Sequence, residues 1–325
     1  MGPNFQGHLT FRLRMCLKAL ETHVVCSLQG NCRLHALAER RARNQAPLGL
    51  RERDRAGLGI AGEFMELNKA RHAFVTGGAS GIGFAIADAL AAKGVPVTIA
   101  DNDTEALAHV IADRSGKFRG QALDVRDRDG WIAARAASEA AFGPVDILVN
   151  NAGIGPDGRG FADMDPKSFD RMIAINLVGV FNGVSTFAAA LREQGRGHIV
   201  NVSSTAGLTF SPQGAGAYTV AKHGVVSMSE TLRTELAPYG VGVSVLCPGL
   251  VDTNLPRSTA RISGDPTGAA ARMPEGSIDP AIAGKLVARA IERNEPYVLT
   301  HPEYWPGVEM RLRAIEAAFH AQSEN

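Results

Sequence analysis

The chain has 325 residues, of which 45% are hydrophobic and 21% charged, and its formal net charge is +1. This amount of apolar material builds a sizeable core and excludes a disordered or fibrous protein. The small net charge gives no global reason to expect nucleic acid or an acidic membrane surface as a partner, and no unbroken apolar stretch reaches the roughly 18 residues of a membrane span.

The first 65 residues differ in composition from the rest. They contain ten Lys or Arg and five Asp or Glu, so they carry +5 and the remainder carries −4. Cys16, Cys26 and Cys32 also lie there, and only Cys247 lies beyond, which argues against a disulfide-built secreted domain and favours a reducing cytoplasm. We interpret residues 1–65 as a basic extension outside the fold, which precedes a single domain at 66–325.

On this interpretation the extension is dispensable, and it could be translated from upstream of a true start at Met65. Two alternatives stay open. Cys26 and Cys32 could bind a metal together with His23 and His35, although their spacing matches no familiar zinc pattern. The basic start could be a targeting peptide, although Glu21 and the absence of a Ser-rich flank argue against it.

Beyond position 70, short β-branched stretches alternate with helical ones. The predicted strands are 72–76, 97–101, 118–123, 145–150, 198–202, 241–246 and 297–300, and the predicted helices are 82–93, one that begins near 104, 169–191, 217–237 and 308–319. Nearly continuous apolar strands separated by helices indicate a parallel sheet covered on both faces. The prediction is a doubly wound α/β fold of the Rossmann type, with ligands at the carboxyl ends of the strands.

A glycine-rich turn, TGGASGIG at 76–83, follows the first strand directly. Such a turn lets the backbone approach a pyrophosphate, and the following helix offers free N–H groups and a partial positive charge. A turn of this kind also occurs for packing alone. The contacts predicted here for a dinucleotide are Gly77, Ala79, Ser80, Gly81, Ile82 and Gly83.

The second strand ends at Asp101, whose carboxylate can accept hydrogen bonds from both hydroxyls of an adenosine ribose. A 2′-phosphate at about 4 Å would be repelled by roughly 4 kcal/mol per charge pair at an effective dielectric of about 20. No basic residue is expected nearby to reverse that sign, so the sequence favours NAD over NADP. The alternative is that Asp101 only caps a helix.

A phenol and an ammonium, Tyr218 and Lys222, stand four residues apart and therefore share one face of a predicted helix. Ser203 and Ser204 follow the strand at 198–202, which places them at the ligand-binding edge of the sheet. A Tyr-x-x-x-Lys pair alone carries little information, since such pairs occur by chance on many helices. Its weight comes from the motifs around it.

Taken together, residues from about 70 to 300 resemble the short-chain dehydrogenase/reductase family. The motifs that carry the resemblance, in the family's order and at about its spacings, are TGGASGIG (76–83), Asp124-Val125, Asn150-Asn151-Ala152-Gly153, Asn176, NVSS (201–204), YTVAK (218–222) and Cys247-Pro248-Gly249. The resemblance implies an NAD(H)-dependent oxidoreductase that transfers a hydride between nicotinamide and a secondary alcohol or ketone. The tail of the chain resembles a branch of the family that oxidises benzylic or other bulky secondary alcohols.

The resemblance also implies roles for four residues. Tyr218 would be the general acid/base, Lys222 its electrostatic partner and a ribose contact, Ser204 the group that holds the substrate oxygen, and Asn176 the anchor of a proton-relay water. Ser204 fits better than Ser203 because Gly207 completes the family's Ser-x-x-Gly, although the 14 residues from Ser204 to Tyr218 exceed the commonest family spacing by one.

Further cofactor contacts implied by the resemblance are Asp124, Val125, Asn151, Ala152, Gly153, Tyr218, Lys222, Pro248, Gly249, Val251 and Thr253. Asn150 and Asn151 could instead brace the central sheet.

The mechanism requires an acidic phenol. Lowering a tyrosine pKa from about 10 to about 7 needs roughly 4 kcal/mol, and an ammonium about 5 Å away supplies roughly 3 kcal/mol at an effective dielectric of about 20. We therefore expect Lys222 to lower the pKa of Tyr218, with the positive nicotinamide ring supplying the remainder. The mechanism requires no metal, and no His/Asp/Glu cluster in the domain at 66–325 suggests one.

Specificity is expected from two segments beside the site. The stretch 254–277, rich in Gly, Ala, Pro and Ser, indicates a mobile lid, and 206–217 supplies a mainly apolar lining. The candidate substrate contacts are Ala206, Leu208, Gln213 and Leu255. This lining favours a hydrophobic or aromatic secondary alcohol or ketone over a sugar or a charged metabolite.

The predicted helices 169–191 and 217–237 carry more apolar surface than one face of a sheet covers. Members of the family pair such helices between subunits, so a homodimer or homotetramer is expected. Neither nucleic acid nor a membrane is expected as a partner.

Three other functions stay open. An NADPH-dependent carbonyl or 3-oxoacyl reductase is opposed by Asp101. A catalytically silent NAD-binding regulator is opposed by the joint presence of the four residues above. A nucleic-acid binder would have to use the basic extension.

Overall fold

The computed structural model describes residues 65–112, 116–210, 214–264 and 275–323. These residues contain one sheet of seven parallel strands in the order β3-β2-β1-β4-β5-β6-β7. The strands are β1 (Ala73–Thr76), β2 (Val97–Asp101), β3 (Phe118–Ala122), β4 (Ile147–Asn150), β5 (Gly197–Val202), β6 (Val241–Cys247) and β7 (Tyr297–Leu299). The strand order reverses at β1 and β4, and a crevice forms outside the carboxyl ends of strands at such a switch point.

Helices cover both faces of this sheet. They are α1 (Gly81–Ala92), α2 (Thr104–Ala112), α3 (Arg128–Phe142), α4 (Pro166–Gln194), α5 (Gly216–Leu236), α6 (Leu255–Ser263), α7 (Pro280–Arg293) and α8 (Trp305–Ser323). Helix α4 contains a π-helical segment, Ala174–Val178. The prediction of a doubly wound parallel α/β fold is confirmed.

Adjacent residues of β1 point to opposite faces of the sheet and so join two separate cores. Phe74 packs against Trp131 of α3 and Phe187 of α4, with ring centroids 5.8 and 5.2 Å apart. Val75 joins the apolar residues of α1 and α7, among them Ile86. Because all four residues of β1 are buried, the strand is held from both sides, and the turn that follows it is rigidly placed.

Three helices within the described part of the chain were not predicted: α3, α6 and α7. The buried face of α3 has only Trp131 and Ala134 as hydrophobic residues, which gives a weak periodic signal. The caps of α3 and α7 would have revealed these two helices, because Asp127 and Asp279 each accept a hydrogen bond from the amide two residues on, and Pro280 opens α7. The predicted lid at 254–277 begins with another helix, α6, and 265–274 of that lid lie outside the described residues.

Helix α4 is long and apolar enough to cross a membrane when judged by length and composition only. Half of its most apolar window is buried within the fold. Phe187 and Leu191 belong to the core against the sheet, with 1 and 0% exposure. Packing on the sheet therefore accounts for much of the apolar character of this helix.

Candidate active site

A cleft of about 710 Å³ opens at the carboxyl ends of the strands, on both sides of the switch point. Its wall contains nearly all of the cofactor contacts predicted from the sequence: Gly77, Ala79, Ser80, Gly81, Ile82, Asp101, Asp124, Val125, Asn151, Ala152, Gly153, Tyr218, Lys222, Pro248, Gly249, Val251 and Thr253. Gly83 is the exception. The structure thus gathers segments that are up to 176 positions apart, from Gly77 to Thr253, along one surface.

The glycine turn has the geometry that close approach of a ligand requires. Gly77 has a φ of +60°, and a Cβ added there would stand 2.8 Å from the Cα of Ala152. A Cβ on Gly83 would stand 2.2 Å from the carbonyl oxygen of Gly77. Gly83 therefore lets α1 pack against the turn, and it contributes through packing and not through the cleft wall.

Asp101 connects the end of β2 to the glycine turn. Its Oδ2 accepts a hydrogen bond from the amide of Ala79 at 3.1 Å, and its Oδ1 accepts one from the amide of Asp103 at 3.0 Å. Helix α2 is capped by Asp103, whose Oδ1 accepts from the amide of Ala106 at 3.0 Å. The alternative in which Asp101 is only a helix cap is therefore not supported, and its carboxylate oxygens keep lone pairs for further donors.

The expectation that no basic residue stands near Asp101 is wrong. Arg126, Arg257 and Arg261 line the same cleft. Arg126 forms an ion pair with Asp124 at 2.5 Å, and this hydrogen-bonded pair holds the pKa of Asp124 below its usual range. The Nη2 of Arg261, from α6, lies 3.0 Å from Oδ1 of Asn102 and 3.6 Å from Oδ2 of Asp103.

The reason for this error is topological. Arg126 follows a strand that pairs with β2, and Arg261 reaches the end of β2 from a helix far along the chain. The sequence around Asp101 therefore gives no sign that either arginine lies near it.

Tyr218 and Lys222 lie on the first turns of α5, as their spacing predicts. The Nζ of Lys222 is 5.6 Å from the centroid of the Tyr218 ring and donates a hydrogen bond to the carbonyl of Val202 at 2.9 Å. The Lys222 side chain is buried, and burial lowers its pKa to about 8. Ser203 donates to the carbonyl of Lys222 at 2.8 Å, which fastens α5 to the end of β5.

The expected lowering of the Tyr218 pKa by Lys222 is not found. Burial raises the pKa of Tyr218 above its ordinary value, and hydrogen bonding with Ser204 only partly opposes that rise. The ring remains partly exposed to the cleft, so its surroundings include solvent. The prediction included the favourable charge of Lys222 but not the free-energy cost of moving a phenolate out of water, and this cost is the larger effect.

The two adjacent serines have different surroundings. Ser203 Oγ is turned toward α5, as described above. Ser204 begins the 3₁₀ helix Thr205–Gly207, where its Oγ accepts from the amide of Ala206 at 3.1 Å and lies 3.5 Å from the carbonyl of Pro248. Ser204 is thus the serine associated with Tyr218, in line with the choice made from the Ser-x-x-Gly pattern.

Asn176 lies behind the cleft wall and not in it. Its Nδ2 donates to the carbonyl of Ile154 at 2.9 Å, and its Oδ1 accepts from the amide of Ile154 at 2.8 Å. A Cβ added to Gly153 would stand 2.7 Å from Oδ1 of Asn176 and 3.6 Å from Nζ of Lys222, so these two side chains flank Gly153. Asn176 is part of the π-helical segment of α4, and such segments are frequent at functional sites.

Asn150 and Asn151 brace the sheet. Asn150 donates to Oδ1 of Asn201 on the neighbouring strand at 2.9 Å. Asn151 donates to the carbonyls of Thr76 and Gly77 at 2.9 and 3.1 Å, which fixes the glycine turn beside β4. Asn151 also lines the cleft, so for this residue the bracing and the cofactor interpretations are compatible.

Among the four candidate substrate contacts, Leu255 lines the cleft. Ala206 supplies the amide bound by Ser204, and Leu208 packs against an apolar cluster that includes Val225. Gln213 lies outside the described residues.

Most of the contribution of α6 was not predicted from the sequence. The helix and its N-cap residue supply further groups to the wall: Asn254, Arg257, Ser258, Arg261 and Ile262. The helix is tied to the opposite side by Thr259, whose Oγ1 accepts from the amide of Gly155 at 2.8 Å. A helix could have been predicted from Pro256, which occupies its first turn. Within the described residues, no group of three or more His, Cys, Asp or Glu is placed to hold a metal ion.

Comparison with known proteins adds a family and several relatives. The family model for short chain dehydrogenase matches residues 71–261. The probable oxidoreductase EphD of Mycobacterium tuberculosis is 43% identical over 190 residues, which cover 57% of this chain and only 32% of EphD. A C alpha-dehydrogenase of Sphingobium sp. is 32% identical over 260 residues, or 75% of this chain and 84% of that one.

Similar solved structures include members of the same family. A short chain dehydrogenase/reductase from Burkholderia phymatum in complex with NAD has a TM-score of 0.71 at 31% identity, and the match covers 78% of this chain and 97% of that one. An actinorhodin polyketide ketoreductase with NADPH has a TM-score of 0.63 at 29% identity, with 73 and 97% covered. The similar proteins therefore include one solved with each nicotinamide cofactor.

Proposed function

Because the chain belongs to the short-chain dehydrogenase/reductase family, we propose that it interconverts a hydrophobic or aromatic secondary alcohol and its ketone with NAD(H). The observation that carries the proposal is one continuous cleft. A glycine turn and Asp101 lie at one end, and Tyr218, Lys222 and Ser204 lie at the other.

The residues present fit a dinucleotide. The turn at Gly77 and Gly81 leaves backbone close to the cleft, and Thr253 lies against Gly81, 3.0 Å from a Cβ added there. These groups would hold the diphosphate at the start of α1. Asp101 would accept from the ribose hydroxyls of the adenosine, while Lys222 would contact the second ribose.

When bound, the oxidised nicotinamide supplies the hydride acceptor and a positive charge. Ser204 orients the alcohol oxygen, and the phenolate of Tyr218 takes the hydroxyl proton as the hydride leaves the carbon. In the reverse direction the phenol returns that proton to the carbonyl oxygen. Lys222 stabilises the phenolate by its charge, and burial of the Lys222 ammonium strengthens that interaction.

Because burial raises the pKa of Tyr218, the groups around it must stabilise the phenolate. With a raised pKa, Tyr218 stays protonated near neutral pH, which is the form that reduction requires, whereas the phenolate that oxidation requires is scarce. Oxidation therefore requires nearby positive charge, from Lys222 and from the bound cofactor.

The proposed substrate class rests on the apolar part of the cleft wall. Leu255, Ile262, Ile154 and Ile175 supply apolar surface to the cleft, and Ser204 supplies a hydroxyl. This combination suits an uncharged alcohol or ketone attached to an apolar group.

A second candidate function has its own support. Arg126, Arg257 and Arg261 could receive a 2′-phosphate, which would make the protein an NADPH-dependent carbonyl or 3-oxoacyl reductase. Relatives described as ketoacyl and acetoacetyl-CoA reductases are 40 and 38% identical to this chain. We favour NAD because Asp101 faces the same end of the cleft, and because Arg126 and Arg261 already bind acidic or amide groups.

The experiment that tests both candidates is a panel of secondary alcohols and ketones assayed with each cofactor through the absorbance of the reduced nicotinamide. We expect kcat/KM to be at least tenfold higher with the NAD pair and with aryl or long-chain substrates. A preference for the NADP pair would establish the second candidate.

We also propose that the chain forms a homodimer or homotetramer. Phe181 of α4 and Val220 of α5 are 47 and 43% exposed, as expected of helices that pair between subunits. A reducing, cytoplasmic location is also proposed. Its support is the cysteine distribution and the free, buried thiol of Cys247.

A further inference from the structure

The last helix, α8, presents large apolar side chains to solvent along much of its length. Trp305, Leu312 and Ile315 are 53, 48 and 43% exposed, and Val308 is partly exposed. Single exposed apolar residues are ordinary in proteins, whereas a continuous stripe of large ones marks an interaction surface.

The spacing of these residues is that of a pairing helix. Positions 305, 308, 312 and 315 alternate in steps of three and four, and Phe319, which is 73% exposed, continues the pattern. This is the a and d spacing of a heptad repeat, which forms the seam between two helices wound around each other. The opposite side of α8 carries Arg313, which forms an ion pair with Glu309 at 2.8 Å.

The charged residues beside the stripe indicate what pairs with α8 and whether the two helices run parallel or antiparallel. With Trp305 at position a, Arg311 takes position g and Glu316 the following position e. In a parallel pair these two positions of different copies face each other, so Arg311 of one copy meets Glu316 of the other. An antiparallel pair would instead oppose Glu309 to Glu316.

The net charge of α8 is zero when His320 is neutral. A helix that lies on an anionic lipid surface is normally enriched in Lys and Arg on its polar face. The equal numbers of acidic and basic residues on α8 therefore favour a second copy of α8 over a lipid surface as the partner.

We propose that α8 pairs in parallel with α8 of a second copy of this chain through Trp305, Val308, Leu312 and Ile315. The inference does not rest on the proposed function. It concerns a surface separate from α4 and α5. The start of α8 lies near the cleft, since a Cβ on Gly307 would stand 3.4 Å from Thr209, which follows Ser204 by five residues.

The test is disulfide cross-linking in the full chain, with Cys16, Cys26 and Cys32 changed to Ser. Val308→Cys and Ile315→Cys are made separately, and Ala317→Cys, exposed on the opposite side of α8, is the matched control. In a parallel pair, identical seam positions bring their Cβ atoms within disulfide reach, about 4 Å. Both seam variants are expected to form covalent dimers on mild oxidation, at least fivefold more than Ala317→Cys. Adding Leu312→Glu to Ile315→Cys is expected to remove that excess.

Several outcomes would overturn the proposal. Equal cross-linking at 315 and 317 would indicate random collision. A cross-link that forms only in a mixture of Val308→Cys and Leu312→Cys chains would indicate an antiparallel pair, in which position d of one helix faces position a of the other. No cross-link at either seam position would mean that residues 1–64, a lipid surface or another protein covers the stripe, and binding of the chain to phosphatidylcholine vesicles would identify the lipid case.

Discussion

The two ends of the cleft are built from different kinds of interaction. At the catalytic end, the buried ammonium of Lys222 is bound to the backbone of β5, and Ser203 fastens the same turn of α5. At the adenosine end, Arg126 and Arg261 are roughly half exposed and bind side chains at the ends of β2 and β3. Buried groups have their proton affinity set by desolvation, whereas exposed ion pairs contribute little energy each. The catalytic end should therefore be intolerant of change, and the adenosine end adjustable.

The largest effect is expected at the catalytic end. Tyr218→Phe removes the proton acceptor while leaving the ring, so kcat should fall at least about a thousandfold while cofactor affinity stays within about threefold. Steady-state rates and calorimetric titration of the cofactor check this. Tyr239→Phe, which is 48% exposed at the far end of α5, is the matched control. If Tyr218→Phe keeps a tenth of the activity, the proposed mechanism is wrong.

A smaller effect is expected at the adenosine end. Asp101→Asn removes the charge opposed to a 2′-phosphate and weakens the acceptors for the ribose, so the preference for NAD over NADP should drop about 30-fold, equivalent to about 2 kcal/mol. The ratio of kcat/KM for the two cofactors measures it. Asp127→Asn, which alters the cap of α3 and lies outside the cleft wall, should change that ratio less than threefold. Equal effects of both variants would contradict a direct contact between Asp101 and the cofactor.

The pH dependence of reduction probes the buried ammonium. Burial lowers the pKa of Lys222 to about 8, so its charge is present below that pH and is lost as pH rises through it. Reduction needs the ammonium and the neutral phenol, and its kcat/KM should fall about tenfold per pH unit above about 8. Lys222→Arg keeps the charge throughout this range. A descending limb near pH 8 that persists in Lys222→Arg would assign the titration to another group.

The smallest effect on activity is expected from the polar contacts that Arg261 of α6 makes at the end of β2. Arg261→Ala removes the contacts with Asn102 and Asp103, and an exposed pair of this kind contributes about 0–1 kcal/mol, so the cofactor KM should rise no more than about fivefold. The effect should shrink at high salt. Arg289→Ala, which breaks an exposed pair with Glu295 away from the cleft, is the control. A rise above 50-fold with Arg261→Ala would mean that this arginine binds the cofactor directly.

The local patterns predicted most of the fold. Buried strands such as β1 and β6 are short apolar stretches that can be recognised one at a time, and their alternation with helices requires a parallel sheet. Helices α3, α6 and α7 were missed, although the capping aspartates of α3 and α7 and Pro256 in the first turn of α6 are visible in the sequence. The glycine turn and Asp101 were recognised from their positions at the ends of strands. Tyr218 and Lys222 were recognised from the motifs around them, because their spacing alone carries little information.

What the sequence determined by itself was the order of the strands, the edge of the sheet at which the site forms and the place of the glycine turn, Asp101, Tyr218 and Lys222 along that edge. Three features were decided by the tertiary structure alone: the rise in the Tyr218 pKa, the arrival of Arg126 and Arg261 beside Asp101, and the exposure of the stripe on α8. The spacing of residues predicts only which side chains lie together within one helix, strand or turn. Desolvation and long-range charge depend on every segment that folds against a group, and no single stretch of sequence contains that information.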